Sequence, residues 1–294
     1  AGGLSHKFLI NPNTFLQSSL AATYSHDQTK VNQRTLEEAV IPVGDIQNSQ
    51  WNIVFSSYLN KRFSSKHMNR TGIRVTGLFY DLDYKVSPMI GLNHPMERVS
   101  KGDGSSSVFS AYSTSTIDFN PYLSASVGLT SQYFSLNKNW SLEPRASLKW
   151  KFKPQHALLL AYGLHSRIER LDYYFVEQEI NGKKESNKYL DLSKAHHFGL
   201  SYDWTISPIH HLRIEPYYQS LYHIPVEKGS SFSIINQQDI YLDKILENNG
   251  AGKNYGVDIT FEQYMKKGFY YMLTGSLFKS KYKGGDNIWR NTRY

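Results

Sequence analysis

Strict two-residue alternation between Leu142 and Phe152 constrains this chain more than any other feature. The even positions are Leu142, Pro144, Ala146, Leu148, Trp150 and Phe152; the odd ones are Glu143, Arg145, Ser147, Lys149 and Lys151. In an extended strand such a pattern puts an apolar row on one face and a charged row on the other, whereas a helix would scatter both around its axis. Lys153-Pro154-Gln155-His156 then reverses the chain, because proline presets a turn dihedral and cannot donate to a ladder. The return arm again carries bulk at even positions, Leu158, Leu160, Tyr162 and Leu164. Two architectures satisfy this hairpin. One is a soluble antiparallel sheet with a face on a protein core. The other is a membrane barrel with its apolar row in lipid and its charged row toward an aqueous lumen.

The remaining chain separates the two. Apolar rows recur at Trp51, Ile53, Phe55 and Leu59, and at Leu123, Ala125, Val127 and Leu129. Others are His196 to Ile206, Leu212 to Ile224, and Tyr255, Val257, Ile259 and Phe261. The row Ile73, Val75 and Phe79 blurs into Leu82 and Tyr84, as at a β-bulge. Residues 1–17 and 287–294 show no alternation. Polar stretches near 28–49, 87–107, 170–193 and 228–253 read as long loops. Short reversals follow Phe63, Phe119, Phe152, Ile206 and Lys267; the short link at Asn137 breaks an otherwise regular short–long order. This gives about eleven strands of about 10–15 residues, against a usual mode near 5–6 and the roughly 9–11 that a tilted membrane strand needs. Short turns on one side, long loops on the other and aromatics near strand ends favour the barrel. The expected fold is all-β, an antiparallel up-and-down meander forming part of an outer-membrane β-barrel.

Composition narrows the class further. There is no cysteine, hence no disulfide framework and no thiolate metal site. No apolar run reaches the roughly 18–20 residues of a membrane helix. The mean hydropathy of −0.50 suits a barrel with a polar interior and wet loops. The net charge of +8 is spread over many segments and forms no nucleic-acid patch. Ala1 to Ile10 holds no signal peptide, so an exported protein would have lost its start.

The stretches LEPRASLKWKF, AYGLHS, SKAHHFGLSYDW, IEPYYQSLYHIPV, GKNYGVDITFE, YYMLTGSLFKSKYKG and WRNTRY, in this order, resemble the barrel of TonB-dependent outer-membrane receptors. The resemblance runs from about Leu59 to Tyr294 and is nearest to the large nutrient-uptake members. It implies energy-coupled import through a barrel of about 22 strands, filled by a plug that TonB pulls upon. Partners would be outer-membrane lipid, the plug, the TonB complex and a small or polymeric solute: a glycan, a peptide or a metal chelate. The chain shows no plug and about half the strands of such a barrel, and reads as an internal fragment of 1–294.

No enzymatic machinery accompanies this pattern. Gly-x-Ser-x-Gly, P-loop and dinucleotide fingerprints are absent, and no cofactor is expected. His196-His197 and His210-His211 invite a metal reading, but neighbouring strand residues point to opposite faces, so neither pair chelates as a unit; no metal or catalytic residue is assigned. The turn histidines are expected to be solvated. The organised set is charged: Glu143, Arg145, Lys149, Lys151, Arg213, Glu215, Asp258 and Glu262 are candidates for a lumen wall, with Glu143, Arg145 and Glu215 expected in cross-strand ionic ladders. Loop residues Tyr173, Tyr174, Phe232 and Asp239 are candidate solute contacts, since loops carry specificity on rigid scaffolds. The competing readings are a soluble or surface β-sheet binding domain and a barrel hydrolase. Detergent dependence discriminates the first, and a Ser–His or acid pair at a rim the second.

Overall fold

The structure is a computed structural model and describes residues 1–87, 94–237 and 241–293. Thirteen strands form one antiparallel meander. In order they are β1 (Gly2–Asn11), β2 (Thr14–Arg34), β3 (Val40–Ser64), β4 (His67–Val86), β5 (Glu97–Asn120), β6 (Leu123–Phe134), β7 (Asn139–Lys153), β8 (His156–Arg167), β11 (Ser193–Ser207), β12 (His210–Glu227), β13 (Leu246–Lys266), β14 (Phe269–Lys283) and β15 (Trp289–Asn291). Between β8 and β11 lie the one-turn helix α1 (Leu171–Tyr174) and a separate hairpin, β9 (Glu177–Ile180) with β10 (Lys183–Ser186).

Connections at one end of the sheet are all two residues long: 12–13, 65–66, 121–122, 154–155, 208–209 and 267–268. Lys267 (φ 52°) and Gly268 (φ 80°) both take the left-handed conformation that a type I′ hairpin needs, which explains that dipeptide. At the opposite end the chain is long-looped.

Register fixes the two faces. On the outer face Tyr24 pairs with Trp51 and Trp51 with Phe79, and Phe109 pairs with Tyr133 and Tyr133 with Trp140. These six aromatics are exposed at the long-loop end. A second exposed aromatic band, with Phe63, Phe119, Tyr122, Trp150, Phe152, Phe269 and the less exposed Trp204 and Phe261, lies near the two-residue turns. Trp140 and Trp150 sit on one face of β7, ten residues apart. At about 3.4 Å per residue and a tilt of about 40°, they are about 26 Å apart along the barrel axis, the height of a membrane-facing apolar band.

Several expectations need correction. β2 and β3 pair from Thr14 to Arg34, so most of 28–49 is a protruding hairpin and only 35–39 is its turn. From Ser25 to Val31 β2 is exposed on both faces, and alternation has no reason to persist there. Glu97–Ser107 also lies within β5, and β13 already starts at Leu246, with Ser100, Ser106 and Leu246 buried. Residues 2–11 and 14–17 are strand, and Trp289–Asn291 adds a short β15. The sheet thus has thirteen strands where about eleven were expected.

No bulge interrupts β4 at Leu82. Its pairing with β3 runs without a shift from Gly44↔Val86 to Arg62↔Met68, and the irregularity against β5 comes later, between Tyr84 and Lys85. Instead the buried face changes. Ile73 and Phe79 face outward and are exposed, whereas Leu78, Tyr80, Leu82 and Tyr84 on the inner face are buried. The chain leaves the apolar band there and meets a cap. That cap is the main hydrophobic core: Leu171, Tyr173, Tyr174, Val176, Leu190, Ile234, Leu242 and Leu246 pack onto Ile46, the β4 row, Phe134 and Ile224.

Candidate functional site

The inner face of β7 to β14 carries the charged residues singled out in the sequence. Register puts Glu143, Arg145, Lys149 and Lys151 of β7 on it, with Arg213 and Glu215 of β12 and Asp258 and Glu262 of β13. All eight lie opposite the apolar row of Leu142, Leu148, Trp150, Leu212, Ile259 and Phe261.

Their pairing differs from the expected ladder. Glu143 is 3 % exposed. Its carboxylate accepts from Ser141 Oγ (3.0 Å), from Ser166 Oγ (2.5 Å) and from Arg145 Nη2 (3.0 Å). Glu143 and Arg145 are two apart on one strand and meet along it, while Glu215 is two strands too far away to join them. Glu215 stands opposite Asp258, a like charge, and Asp258 accepts from Ser276. Of these eight residues, Arg213 does form a cross-strand ion pair, Nε to Asp203 Oδ1 at 2.8 Å. His211 joins it, with Nε2 3.1 Å from Asp203 and Nδ1 3.8 Å from Glu262, so this turn histidine is held by carboxylates and not merely solvated. Lys149 and Lys151 border a cleft of about 470 Å³ with Asp118, next to the two-residue turns.

Adjacent histidines split between faces. His196 lies outward, 3.1 Å from Tyr162 Oη and stacked on Tyr222, while His197 lies inward with its ring centroid 4.6 Å from that of His165. The sequence identifies no partner for His165. Its partner lies on a strand reached only after a 25-residue connection, 168–192, and no linear pattern records that neighbour.

One register row crosses this wall. Arg70 is opposite Thr114, Thr114 opposite Gly128, and Gly128 opposite Arg145. Arg145 is opposite Gly163, Gly163 opposite His197, His197 opposite Gln219, Gln219 opposite Asn254, and Asn254 opposite Ser280. Nine strands therefore contribute one small or polar residue each. A cavity of about 270 Å³ opens along the row, lined by Arg145, Gly163, His165, His197, Tyr217 and Gln219.

The cap closes over the upper end of this wall. Tyr173 and Tyr174 are 5 % and 1 % exposed, and serve as its core and not as surface contacts. Tyr174 packs edge-on against Phe134 at 5.3 Å, and its hydroxyl accepts from the Glu169 N–H at 3.0 Å. Burial pushes the Tyr174 phenol up strongly, and Tyr84 up to about 12. Burial likewise raises the Glu169 carboxyl, against the pull of the Ser193 hydroxyl and of Arg167. Asn187 ties the two cap segments together: its Nδ2 donates to Lys244 O (2.9 Å) and its Oδ1 accepts from Leu246 N (2.8 Å). Asn137 and Asn139 both donate to Leu190 O (2.7 and 2.9 Å), so the cap is tied to the short link at Asn137. Phe232 is half-buried with Lys244 Nζ 5.5 Å above its ring. Asp239 lies outside the described residues.

Comparison with known proteins accounts for this architecture. A family model described as TonB dependent receptor-like, beta-barrel, matches residues 1–293, extending the resemblance upstream of Leu59. Comparison of the sequence with curated proteins finds no match. Among solved structures, the chain is similar to the RagAB peptide importer in its closed-closed state (TM-score 0.63, 12 % identity, 99 % of this chain and 36 % of that one). It is also similar to the ferric-catecholate import receptor Fiu from E. coli K12 (0.68, 11 %, 96 % and 47 %). The ferripyoverdine receptor of the Pseudomonas aeruginosa outer membrane is a third (0.69, 9 %, 98 % and 40 %). The chain spans less than half the length of each of these three. With a family model matched along its whole described length and a meander of long strands to go with it, the chain belongs to the TonB-dependent receptor family, as part of the β-barrel.

Proposed function

We propose that this chain is part of a barrel of about 22 strands in the bacterial outer membrane, importing a polar solute by energy-coupled transport without covalent chemistry of its own. The observation that carries this reading is the opposition of the two faces. Between the aromatic bands the outer face is apolar, and the inner face of the same strands holds a continuous polar row from Arg70 to Ser280. A soluble sheet would bury its apolar face; here Trp51, Phe79, Leu129, Trp140 and Trp150 are all exposed. Lipid satisfies such a face, and a lumen satisfies the other. β1 and β15 each pair on one side only, so further strands of a larger barrel would cover them. In this reading Glu143, Arg145, Lys149, Lys151, Arg213, Glu215, Asp258 and Glu262 line the lumen, a plug fills it and TonB acts on the plug. The solute is a glycan, a peptide or a metal chelate.

The test is uptake by cells carrying the whole protein. The protein should fractionate with the outer membrane and run faster on gels unboiled than boiled. Uptake of a solute from a labelled panel of these three classes should stop on loss of TonB. Uptake that persists without TonB, or a protein that stays monodisperse without detergent, would refute the proposal.

A further inference from the structure

We infer that the inner-wall row centred on Arg145 and Gln219 is an oxyanion-binding station, recognising a carboxylate or comparable anionic group of the solute. This rests on the reading of the inner face as a lumen wall. Three observations converge on it.

The first is an excess of donors. Around the cavity of about 270 Å³ stand a guanidinium, two imidazoles, two phenols and a primary amide, beside apolar Ala161 and Phe198. The nearby carboxylate, Glu143, is buried and already accepts from Ser141, Ser166 and one Arg145 nitrogen. The rest of the Arg145 fork has no protein acceptor among the described residues, and its side chain is 46 % exposed. His165 and His197 hydrogen-bond to no protein group among the described residues. The like-charged pair Glu215 and Asp258 begins four residues further along β12, about 13 Å away.

The second is a fixed amide. Ser280 Oγ donates to Asn254 Oδ1 at 2.7 Å, and Asn254 Nδ2 donates to Gln219 Oε1 at 3.1 Å. Gln219 is thereby held with its acceptor occupied and its Nε2 free as a donor. An amide whose oxygen is engaged and whose Nε2 is open presents donors to an anion.

The third is room. The residues on both sides of Arg145 in the row are Gly128 and Gly163. A Cβ at Gly163 would lie 2.7 Å from His165 Nε2, and one at Gly128 would lie 2.7 Å from Thr114 Oγ1. Side chains at these places would crowd the ring and the hydroxyl that flank the guanidinium.

The experiment uses the whole protein in detergent micelles and trifluoroacetate as the probe, followed by fluorine NMR line width, with trifluoroethanol as the uncharged control. Saturable broadening of trifluoroacetate alone is expected. Gln219→Glu, which is isosteric, should weaken it about tenfold or more, the usual loss when a charge-assisted hydrogen bond is replaced by repulsion. Arg145→Gln should do the same. Should that variant fail to fold because Glu143 loses its partner, the isosteric one still decides. Equal broadening of both probes, no change in Gln219→Glu, or binding of Zn²⁺ by the two histidines with no response to trifluoroacetate would each overturn the assignment. A protein that sits in the outer membrane but ignores trifluoroacetate refutes the station and spares the transport reading. One that binds trifluoroacetate here but is not in the outer membrane refutes transport.

Discussion

Phe134→Ala should unlatch the cap while leaving the apolar band intact. Phe134 ends β6 on the inner face, is fully buried, and meets Tyr174 edge-on at 5.3 Å with 61° between the rings. Truncating a buried phenylalanine costs about 3–5 kcal/mol, from lost transfer energy and the cavity left behind. β6 itself is held by ladders to β5 and β7 along its whole length, so the loss falls on the contact between wall and cap. If the cap opens as a local unit, the free energy of that opening drops by the same amount. Its open population then rises by roughly two to nearly four powers of ten. Hydrogen exchange read by mass spectrometry on the whole protein in micelles measures this directly. Amides in 169–192 should lose protection by that factor, and amides in β6 to β8 should not. A double-mutant cycle with Tyr174→Leu should return a coupling of about 0.5–1.5 kcal/mol for the ring pair. Equal loss of protection in cap and strands would show that the cap does not open as a separate unit. Unchanged protection in 169–192 would show that Phe134 does not hold it.

Other outcomes follow from the same geometry. Because burial raises the folded pKa of Glu169, the protonated form favours the closed cap. Its contribution is full at pH below the ordinary carboxyl range and is lost as pH climbs through the raised folded value; exchange in 169–176 should be slower under mildly acidic than alkaline conditions after correction for intrinsic rates, and Glu169→Gln should abolish the difference. Asn187→Ala leaves the Lys244 carbonyl and the Leu246 N–H without their partner, about 1–3 kcal/mol for each unsatisfied group. Limited proteolysis should then cut in 228–245 before it cuts any strand. Val127→Arg puts a charge on the exposed outer face, opposite Ala146 and between the two aromatic bands, at a cost of about 2–4 kcal/mol. The fraction of unboiled protein with folded mobility should fall, and Ser126→Arg on the inner face should leave it unchanged.

The strands that cross the apolar band are legible in the linear chain, because there the two faces differ in polarity and period-two alternation is the direct print of that difference. Leu142 to Leu164, the short reversals after Phe63, Phe119, Phe152, Ile206 and Lys267, and the shared face of Glu143 and Arg145 could be read from it. Alternation says nothing where the two faces do not differ. β2 beyond Tyr24 is exposed on both faces almost throughout, so it left no pattern. Along Leu78 to Tyr84 the inner face turns apolar, and only the cap, supplied by distant residues such as Leu171, Tyr174, Leu242 and Leu246, explains why. Tyr173 and Tyr174 looked like loop aromatics free to meet a solute, yet burial against Phe134 and the β4 row makes them core. The row joining Arg145, His197, Gln219, Asn254 and Ser280 belongs wholly to tertiary structure. Register across strands is set by pairing and loop length, and no residue in the linear chain records which neighbour it will face.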